Sequence, residues 1–301
     1  MTTPAGRATA IDGGEVGGQV RELCAADGYR LGARFFPAAE HERGRLVVAA
    51  ATAVPQGFYA RFARYAAARG FSTLTFDYRG TGASRPDRLR GFAASFLDWA
   101  ELDLAAAVAA MQGGKGPVLV VGHSFGGQAY GLLPNPDQVQ GLYTFGTGAG
   151  WHGWMPRLES LRVRALWHVV IPVLTRSRGY LPMSWAGMGE DLPLGVARQW
   201  RRWCSFPRYF FDDPELADAM HARFSAVRTP VVAANALDDR WIPPPAREAF
   251  MAGYQQAPYR AVDIDPAPYG GLGHMGYFRA RAEPLWCDVI DWAGALAGDA
   301  R

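Results

Sequence analysis

The sequence predicts an α/β fold: a mostly parallel sheet with helices on both faces and a helical segment inserted near the middle of the chain. Continuous apolar runs, which are typical of strands buried on both faces, recur from about residue 45 onward. Amphipathic helical patterns separate these runs, as expected for parallel strands joined by crossover helices. The alternation stops between residues 149 and 227 and then resumes, which indicates an insertion.

The elements before the insertion begin with a hairpin. Residues 20–37 alternate in polarity about a turn at Asp27 and Gly28, which is a strong hairpin signal. Apolar runs and helical spacing then predict a strand over 45–53, a helix over 57–70, a strand over 71–80, a helix over 94–112, and strands over 117–122 and 139–148.

The same rhythm returns after the insertion. It predicts strands over 228–237 and 259–265, and helices over 247–254 and 283–298. We therefore assign the core to residues 1–148 and 228–301. The Gly-, Ala- and Thr-rich residues 1–17 are expected to form a flexible tail.

The inserted residues 149–227 contain six of the ten tryptophans, many arginines and several prolines. Because the segment follows a strand of a parallel sheet, we expect it to lie over the carboxyl edge of that sheet, where ligands bind in open α/β folds. We predict a helical cap. The alternative is a helical subdomain that only enlarges the core.

Composition and charge exclude several functional classes. The chain of 301 residues is 49% apolar and 20% charged, so it can bury a large core and is not of disordered composition. The net charge is +3 and the arginines are scattered without a basic block, so we expect no nucleic-acid partner.

The cysteines and the apolar segments indicate in which cellular compartment the protein is expected. Cys24, Cys204 and Cys287 are far apart and show no metal-binding spacing, so we expect reduced thiols, a cytoplasmic protein and no metal. The longest membrane-like run, residues 166–174, is too short to span a bilayer and contains a proline.

One pentapeptide carries the main functional signal. Residues 122–126 read Gly-His-Ser-Phe-Gly, between a predicted buried strand and a plausible helix. In this setting a serine sits on a tight, strained turn with its Oγ exposed at the helix N-terminus. We therefore predict that Ser124 is a nucleophile. The alternative is an ordinary strand-to-helix turn.

A serine nucleophile needs a base and a carboxylate that orients the base. Of the six histidines, His274 lies in a glycine-rich loop after the last predicted strand, so we predict that it is the base; a solvated loop histidine is the alternative. Asp239 lies four residues before Pro243 in the loop after a strand, and we favour it as the acid over the neighbouring Asp238. Both could also be simple loop acids.

An oxyanion hole requires two backbone N–H donors. The residue after the nucleophile, Phe125, supplies the first. The loop after the first long parallel strand normally supplies the second, and there Val54, just before Pro55, is our candidate, with Ala53 as the alternative.

The motifs GHSFGG, ALDDRWIPP and GLGHMGYF together resemble those of the α/β-hydrolase superfamily, over about residues 20–297. The turn DYRGTGAS at residues 77–84 fits the same resemblance. More narrowly, the chain looks like a group of bacterial predicted serine hydrolases without assigned substrates. It departs from the family at residues 52–53, where Thr-Ala replaces the usual His-Gly before the first oxyanion donor.

The resemblance implies a serine hydrolase that cleaves a carboxylic ester or thioester through an acyl-enzyme, without a cofactor or metal. An acyltransferase with the same triad, or a ligand-binding protein that breaks no bond, remains an alternative. The tryptophans suggest a small-molecule substrate with a bulky or apolar acyl group, with Trp151 and Trp154 as candidate contacts. A homodimer remains open.

Overall fold

The computed structural model describes residues 17–298, so the predicted tail lies almost entirely outside the described residues. The strands are β1 (Gln19–Cys24), β2 (Arg30–Phe36), β3 (Gly44–Ala49), β4 (Phe71–Phe76), β5 (Val118–His123), β6 (Gly141–Phe145), β7 (Tyr180–Leu181), β8 (Leu192–Pro193), β9 (Val231–Ala236) and β10 (Tyr259–Ile264). Eight of them form one sheet in the order β1-β2-β4-β3-β5-β6-β9-β10, and β7 pairs with β8 separately.

The prediction of a mostly parallel sheet is confirmed. The predicted hairpin is β1 and β2, which pair with each other antiparallel, and β2 also pairs antiparallel with β4. All other neighbours in the sheet are parallel. Strands β3 and β5 are buried along their whole length, which explains why each reads as a continuous apolar run.

Helices pack around the sheet. They are α1 (Ala60–Ala67), α2 (Phe96–Asp98), α3 (Ala105–Ala110), α4 (Phe125–Ala129), α5 (Arg157–Ala165), α6 (Ile171–Arg178), α7 (Leu194–Trp203), α8 (Ala217–Ala226), α9 (Pro244–Met251) and α10 (Glu283–Leu296). A π-helical stretch, Trp99–Leu104, joins α2 to α3, and another, Leu166–Val170, joins α5 to α6. Each pair is therefore one longer helix, as the sequence predicts for residues 94–112.

Strands β3, β4 and β6 end earlier than the apolar pattern predicts, because the backbone turns where the pattern continues. After β3, Ala53 adopts a left-handed conformation with φ of 63°. After β4, the Asp77 carboxylate accepts hydrogen bonds from the N–H groups of Gln56 and Ala83 and holds the chain in a loop. After β6, Gly146 has φ of 58°.

The inserted segment contains α5 to α8 and contacts loops at the carboxyl ends of two core strands. The Glu190 N–H donates to the Ala53 carbonyl oxygen at 2.8 Å, beyond the end of β3. Beyond β9, the ring of Trp241 lies 6.4 Å from that of Trp167 and 6.0 Å from that of Trp200. No helix within residues 17–298 has the length and hydropathy needed to cross a membrane.

Candidate active site

Ser124 occupies a strained turn between β5 and α4. Its backbone has φ of 51° and ψ of −113°, a region that a non-glycine residue enters at a cost of about 1–3 kcal/mol. The flanking glycines are required by close packing. A Cβ on Gly126 would lie 1.9 Å from the Ala49 oxygen, and one on Gly122 would lie 2.5 Å from the Gly127 nitrogen. The turn therefore lifts the serine hydroxyl out of the sheet at the start of a helix.

His274 lies in the loop after β10, and its ring contacts Ser124 on one side and Asp239 on the other. The distance from Nε2 to the Ser124 Oγ is 3.0 Å, and Nδ1 lies 2.8 Å from Oδ2 of Asp239. A carboxylate only accepts, so Nδ1 carries the proton and Nε2 is free to accept from the hydroxyl. The three side chains that the sequence singled out are thus in hydrogen-bond contact.

Asp239 is buried and fully supplied with donors. The N–H groups of Trp241 and Ile242 each donate to Oδ1 at 3.0 Å, and the Tyr277 hydroxyl donates to Oδ2 at 3.1 Å. Burial alone would raise the pKa of Asp239, but His274 and the donated hydrogen bonds outweigh it and hold the pKa below its ordinary value. The carboxylate is therefore ionised beside the imidazole.

The neighbouring Asp238 has a different partner. Its Oδ2 accepts from the Leu272 N–H and its Oδ1 from the Gly273 N–H, both at 2.9 Å. These bonds tie the loop after β9 to the loop that carries His274. Asp238 therefore holds backbone, whereas Asp239 contacts the imidazole.

His123, inside the pentapeptide, connects this site to the loop after β3. The Ala51 N–H donates to the Tyr59 hydroxyl at 2.8 Å, so that hydroxyl uses its own hydrogen toward His123 Nδ1, at 2.9 Å. The proton of His123 is then on Nε2, which donates to the His274 carbonyl oxygen at 2.9 Å. The sequence analysis did not foresee this chain of bonds, because it joins segments that are far apart along the chain.

The candidate oxyanion donors differ in their surroundings. Phe125 is the first residue of α4, where a backbone N–H has no acceptor within the helix. The Val54 N–H donates to the Ala51 carbonyl oxygen at 3.2 Å. Ala53, with its positive φ, stands where the resemblance leads one to expect glycine, so its methyl group does not prevent the left-handed turn.

A groove beside His274 is lined by Trp241 rather than by the two tryptophans that the sequence suggested. The rings of Trp241 and His274 are 6.2 Å apart, and both line the groove together with Pro156, Glu159, Leu237, Asp238, Arg240 and Gly273. Trp151 and Trp154 pack on each other at 5.6 Å, and the Trp154 Nε1 donates to the Pro207 oxygen. The position of Trp241, two residues after the acid, is a signal that sequence reasoning could have used.

Within residues 17–298, no group of three or more His, Cys, Asp or Glu side chains is arranged to hold a metal ion. The polar side chains of the site hydrogen-bond to one another. This arrangement is suited to transferring a proton from a hydroxyl to an imidazole.

Comparisons with known proteins agree with this architecture. Residues 44–284 match the model of the alpha/beta hydrolase family. No curated protein sequence matches the chain. Among solved structures, a soluble variant of monoglyceride lipase from Saccharomyces cerevisiae has a TM-score of 0.66 at 16% identity, over 95% of this chain and 99% of that one.

Two further structures are similar at the level of the fold. A thermophilic esterase from Thermogutta terrifontis has a TM-score of 0.56 at 17% identity, over 93% of this chain and 99% of that one. The thioesterase domain from the curacin biosynthetic pathway has a TM-score of 0.55 at 13% identity, with the same coverage. With a family match over residues 44–284 and a mostly parallel sheet of the corresponding architecture, this chain belongs to the alpha/beta hydrolase family.

Proposed function

We propose that this protein is a serine hydrolase that cleaves a carboxylic ester or thioester through an acyl-enzyme. One observation carries the proposal: the Ser124 Oγ lies 3.0 Å from His274 Nε2, while the same ring holds the buried Asp239 through Nδ1. A serine hydroxyl becomes a useful nucleophile when a positioned base can take its proton.

In the proposed reaction, the Ser124 Oγ attacks the acyl carbonyl and His274 takes the hydroxyl proton. The backbone N–H groups of Phe125 and Val54 stabilise the oxyanion, and the Val54 hydrogen would be shared with the Ala51 oxygen. His274 then gives the proton to the leaving alcohol or thiol. Water, deprotonated by the same imidazole, releases the acid and restores the serine.

The electrostatics support this role for His274. The ionised Asp239 stabilises the imidazolium that forms when the proton arrives. The nearby His123 adds no opposing charge, because burial, helped by the closeness of His274, lowers its pKa to about 3. A charged His123 would instead repel the imidazolium.

We further propose that the inserted residues 149–227 act as a cap that selects the acyl group. Pro156 and Glu159 of this segment line the groove at His274 together with Trp241 and the exposed Leu237 of the core, which favours a bulky or apolar small-molecule substrate. Trp151 and Trp154 remain predicted contacts.

The thiols of Cys24, Cys204 and Cys287 are free, which supports a reducing, cytoplasmic setting.

The experiment combines a fluorophosphonate probe with a panel of p-nitrophenyl esters of varied chain length and acyl-thioesters. We expect labelling and turnover in the wild type and neither in Ser124→Ala. Ser160→Ala is the matched control, because Ser160 also contacts a histidine, with its Oγ 3.3 Å from His152 Nδ1. That variant should keep both activities.

Two results would change the assignment. A folded wild type that resists the probe would indicate a ligand-binding protein instead of an enzyme. If the wild type is labelled but transfers the acyl group to an added alcohol or amine faster than to water, the protein is an acyltransferase. Product analysis with and without such acceptors separates these cases.

A further inference from the structure

One helix of the inserted segment has an apolar face that residues 17–298 leave largely exposed. It consists of α5, the π-helical stretch and α6, and so runs over residues 157–178, about 30 Å at 1.5 Å per residue. Val163, Trp167 and Ile171, spaced four residues apart, are buried against the protein. Between these positions, Leu166 is half-buried against the core and the other side chains are exposed.

The outward face carries large apolar side chains at helical spacing. Leu158 and Leu161 are each 63% exposed, and Val169 and Val173 are each 59% exposed. With Ala165 between them, they recur every three or four residues and form one line, which we call the exposed stripe. Exposed apolar side chains that line up in this way mark an interaction surface more often than isolated ones do.

The same helix is strongly cationic. It has one acidic residue, Glu159, which pairs with Arg162 at 3.6 Å, and five arginines: Arg157, Arg162, Arg164, Arg176 and Arg178. At its C-terminal end, the Arg178 guanidinium stacks over the ring of Trp185 at 4.2 Å, and that ring is 59% exposed. An exposed tryptophan beside arginines is typical of side chains that sit at lipid headgroups.

The N-terminal end of the helix leads to the candidate active site. Pro156 and Glu159 line the groove beside His274, together with Leu237, which is 57% exposed. The exposed stripe therefore begins where the groove opens. A surface bound along this stripe would lie next to the route to Ser124.

We propose that the exposed stripe and its arginines dock on an anionic lipid surface. Partial burial of leucine and valine side chains between lipid headgroups, together with attraction of arginines to anionic lipids, is the combination that binds amphipathic helices to membranes. A second copy of the chain is disfavoured on this face, because symmetric contact would bring five arginines against five arginines. The docking itself does not depend on the proposed function.

The test is cosedimentation of the full chain with vesicles of phosphatidylglycerol mixed with phosphatidylcholine, and with vesicles of phosphatidylcholine alone. We expect binding to the mixed vesicles, weak binding to phosphatidylcholine, and release by salt, which screens exposed charges. Arg164→Gln with Arg176→Gln should weaken binding about fivefold per arginine removed. Leu161→Ser with Val173→Ser should weaken it about tenfold or more.

Two matched controls lie elsewhere on the surface. Val20→Ser removes an apolar side chain that is 75% exposed in β1, and Arg281→Gln removes an exposed arginine. Both should bind as the wild type does. Ser124→Ala should also bind normally, so a failure of the hydrolase assignment leaves this result unchanged.

The proposal is overturned if the wild type does not sediment with mixed vesicles, if phosphatidylcholine alone binds equally well, or if the stripe and arginine variants bind like the controls. A wild type that is dimeric in gel filtration and becomes monomeric in Leu161→Ser with Val173→Ser would show instead that a second copy covers the stripe. The proposal is also overturned if the protein does not sediment with vesicles and its exposed stripe binds an acidic protein instead.

Discussion

The ring of His123 donates a hydrogen bond to the backbone carbonyl oxygen of His274, with 2.9 Å between Nε2 and the oxygen. This bond joins the strand before the serine to the loop that carries the imidazole. Because Tyr59 bonds the other ring nitrogen and also the Ala51 N–H, one buried, neutral ring links the end of β5 to the loops after β3 and β10. The geometry at Ser124 therefore depends on the ring of its neighbour His123, which hydrogen-bonds Tyr59 and the His274 carbonyl oxygen and not the serine hydroxyl.

The buried His123 should make stability fall in acid. Its pKa is lowered to about 3 in the folded chain, against 6.5 ordinarily, so between these values the unfolded chain binds the extra proton. The stabilisation is complete above pH 6.5 and is lost as the pH falls toward 3. The difference in unfolding free energy between the wild type and His123→Gln should therefore shrink by about 1.4 kcal/mol for each unit by which the pH is lowered inside this window.

Urea unfolding of both proteins at several pH values measures this difference. The comparison is needed because other groups titrate in the same range with the opposite sign, such as Asp103, whose pKa burial raises to about 6. Parallel stability profiles for wild type and His123→Gln would contradict the prediction.

Removing the Tyr59 hydroxyl should be costly, whereas removing that of Tyr78 should not. Tyr59→Phe leaves the Ala51 N–H and His123 Nδ1 without their partner in a buried site, which we expect to cost about 2–4 kcal/mol of unfolding free energy. The Tyr78 hydroxyl is buried without a hydrogen-bond partner among residues 17–298, so Tyr78→Phe should be neutral or stabilising. Equal losses in thermal or chemical unfolding would refute this account.

The two adjacent aspartates should differ in catalysis. Asp239→Asn removes the charge that stabilises the imidazolium and should lower kcat by about 10³–10⁴-fold with a p-nitrophenyl ester. Asp238→Asn weakens only the bonds to the N–H groups of Leu272 and Gly273, so it should act mainly on stability and lower kcat far less. If Asp238→Asn proved the more damaging to kcat, the assignment of the acid would be wrong.

Replacing Ala53 by glycine should lower the free energy of unfolding less than replacing Ala66, an alanine that is buried to the same extent. Ala53→Gly relieves about 1–2 kcal/mol of left-handed strain, which offsets the greater freedom of the unfolded chain and the loss of a buried methyl group. We expect an unfolding free energy within about 1 kcal/mol of the wild type. Ala66→Gly, at an equally buried helical site, should lose about 2 kcal/mol because no strain is relieved. Similar losses for both variants would argue against strain at Ala53.

The strands of the sheet could be predicted from the sequence because each one has its own local pattern of apolar residues and turns. Strands such as β5 are buried on both faces and therefore read as uninterrupted apolar runs, and the hairpin turn is marked by Asp27 and Gly28. The spacing before Pro243 likewise distinguished Asp239 from Asp238 as the partner of His274. The catalytic roles of Asp239 and His274 remain predictions.

Other features depend on contacts between distant segments, which no local pattern encodes. The bond from His123 to the His274 carbonyl joins residues 151 positions apart. The tryptophan beside the imidazole proved to be Trp241, whereas Trp167 and Trp203 of the inserted segment are buried against the rings of Trp241 and Phe96, which lie outside the segment. Composition showed that aromatic side chains were concentrated there but not which ones face the groove.

The wide separation of Ser124, Asp239 and His274 along the chain has a consequence for biosynthesis. The serine and the imidazole are 150 positions apart, and the imidazole is 35 positions from its carboxylate. Under the function proposed above, a ribosome-bound chain that has not yet exposed the loop after β10 lacks the proposed base for Ser124. Recovery of turnover during refolding would accordingly report the docking of that loop against Ser124.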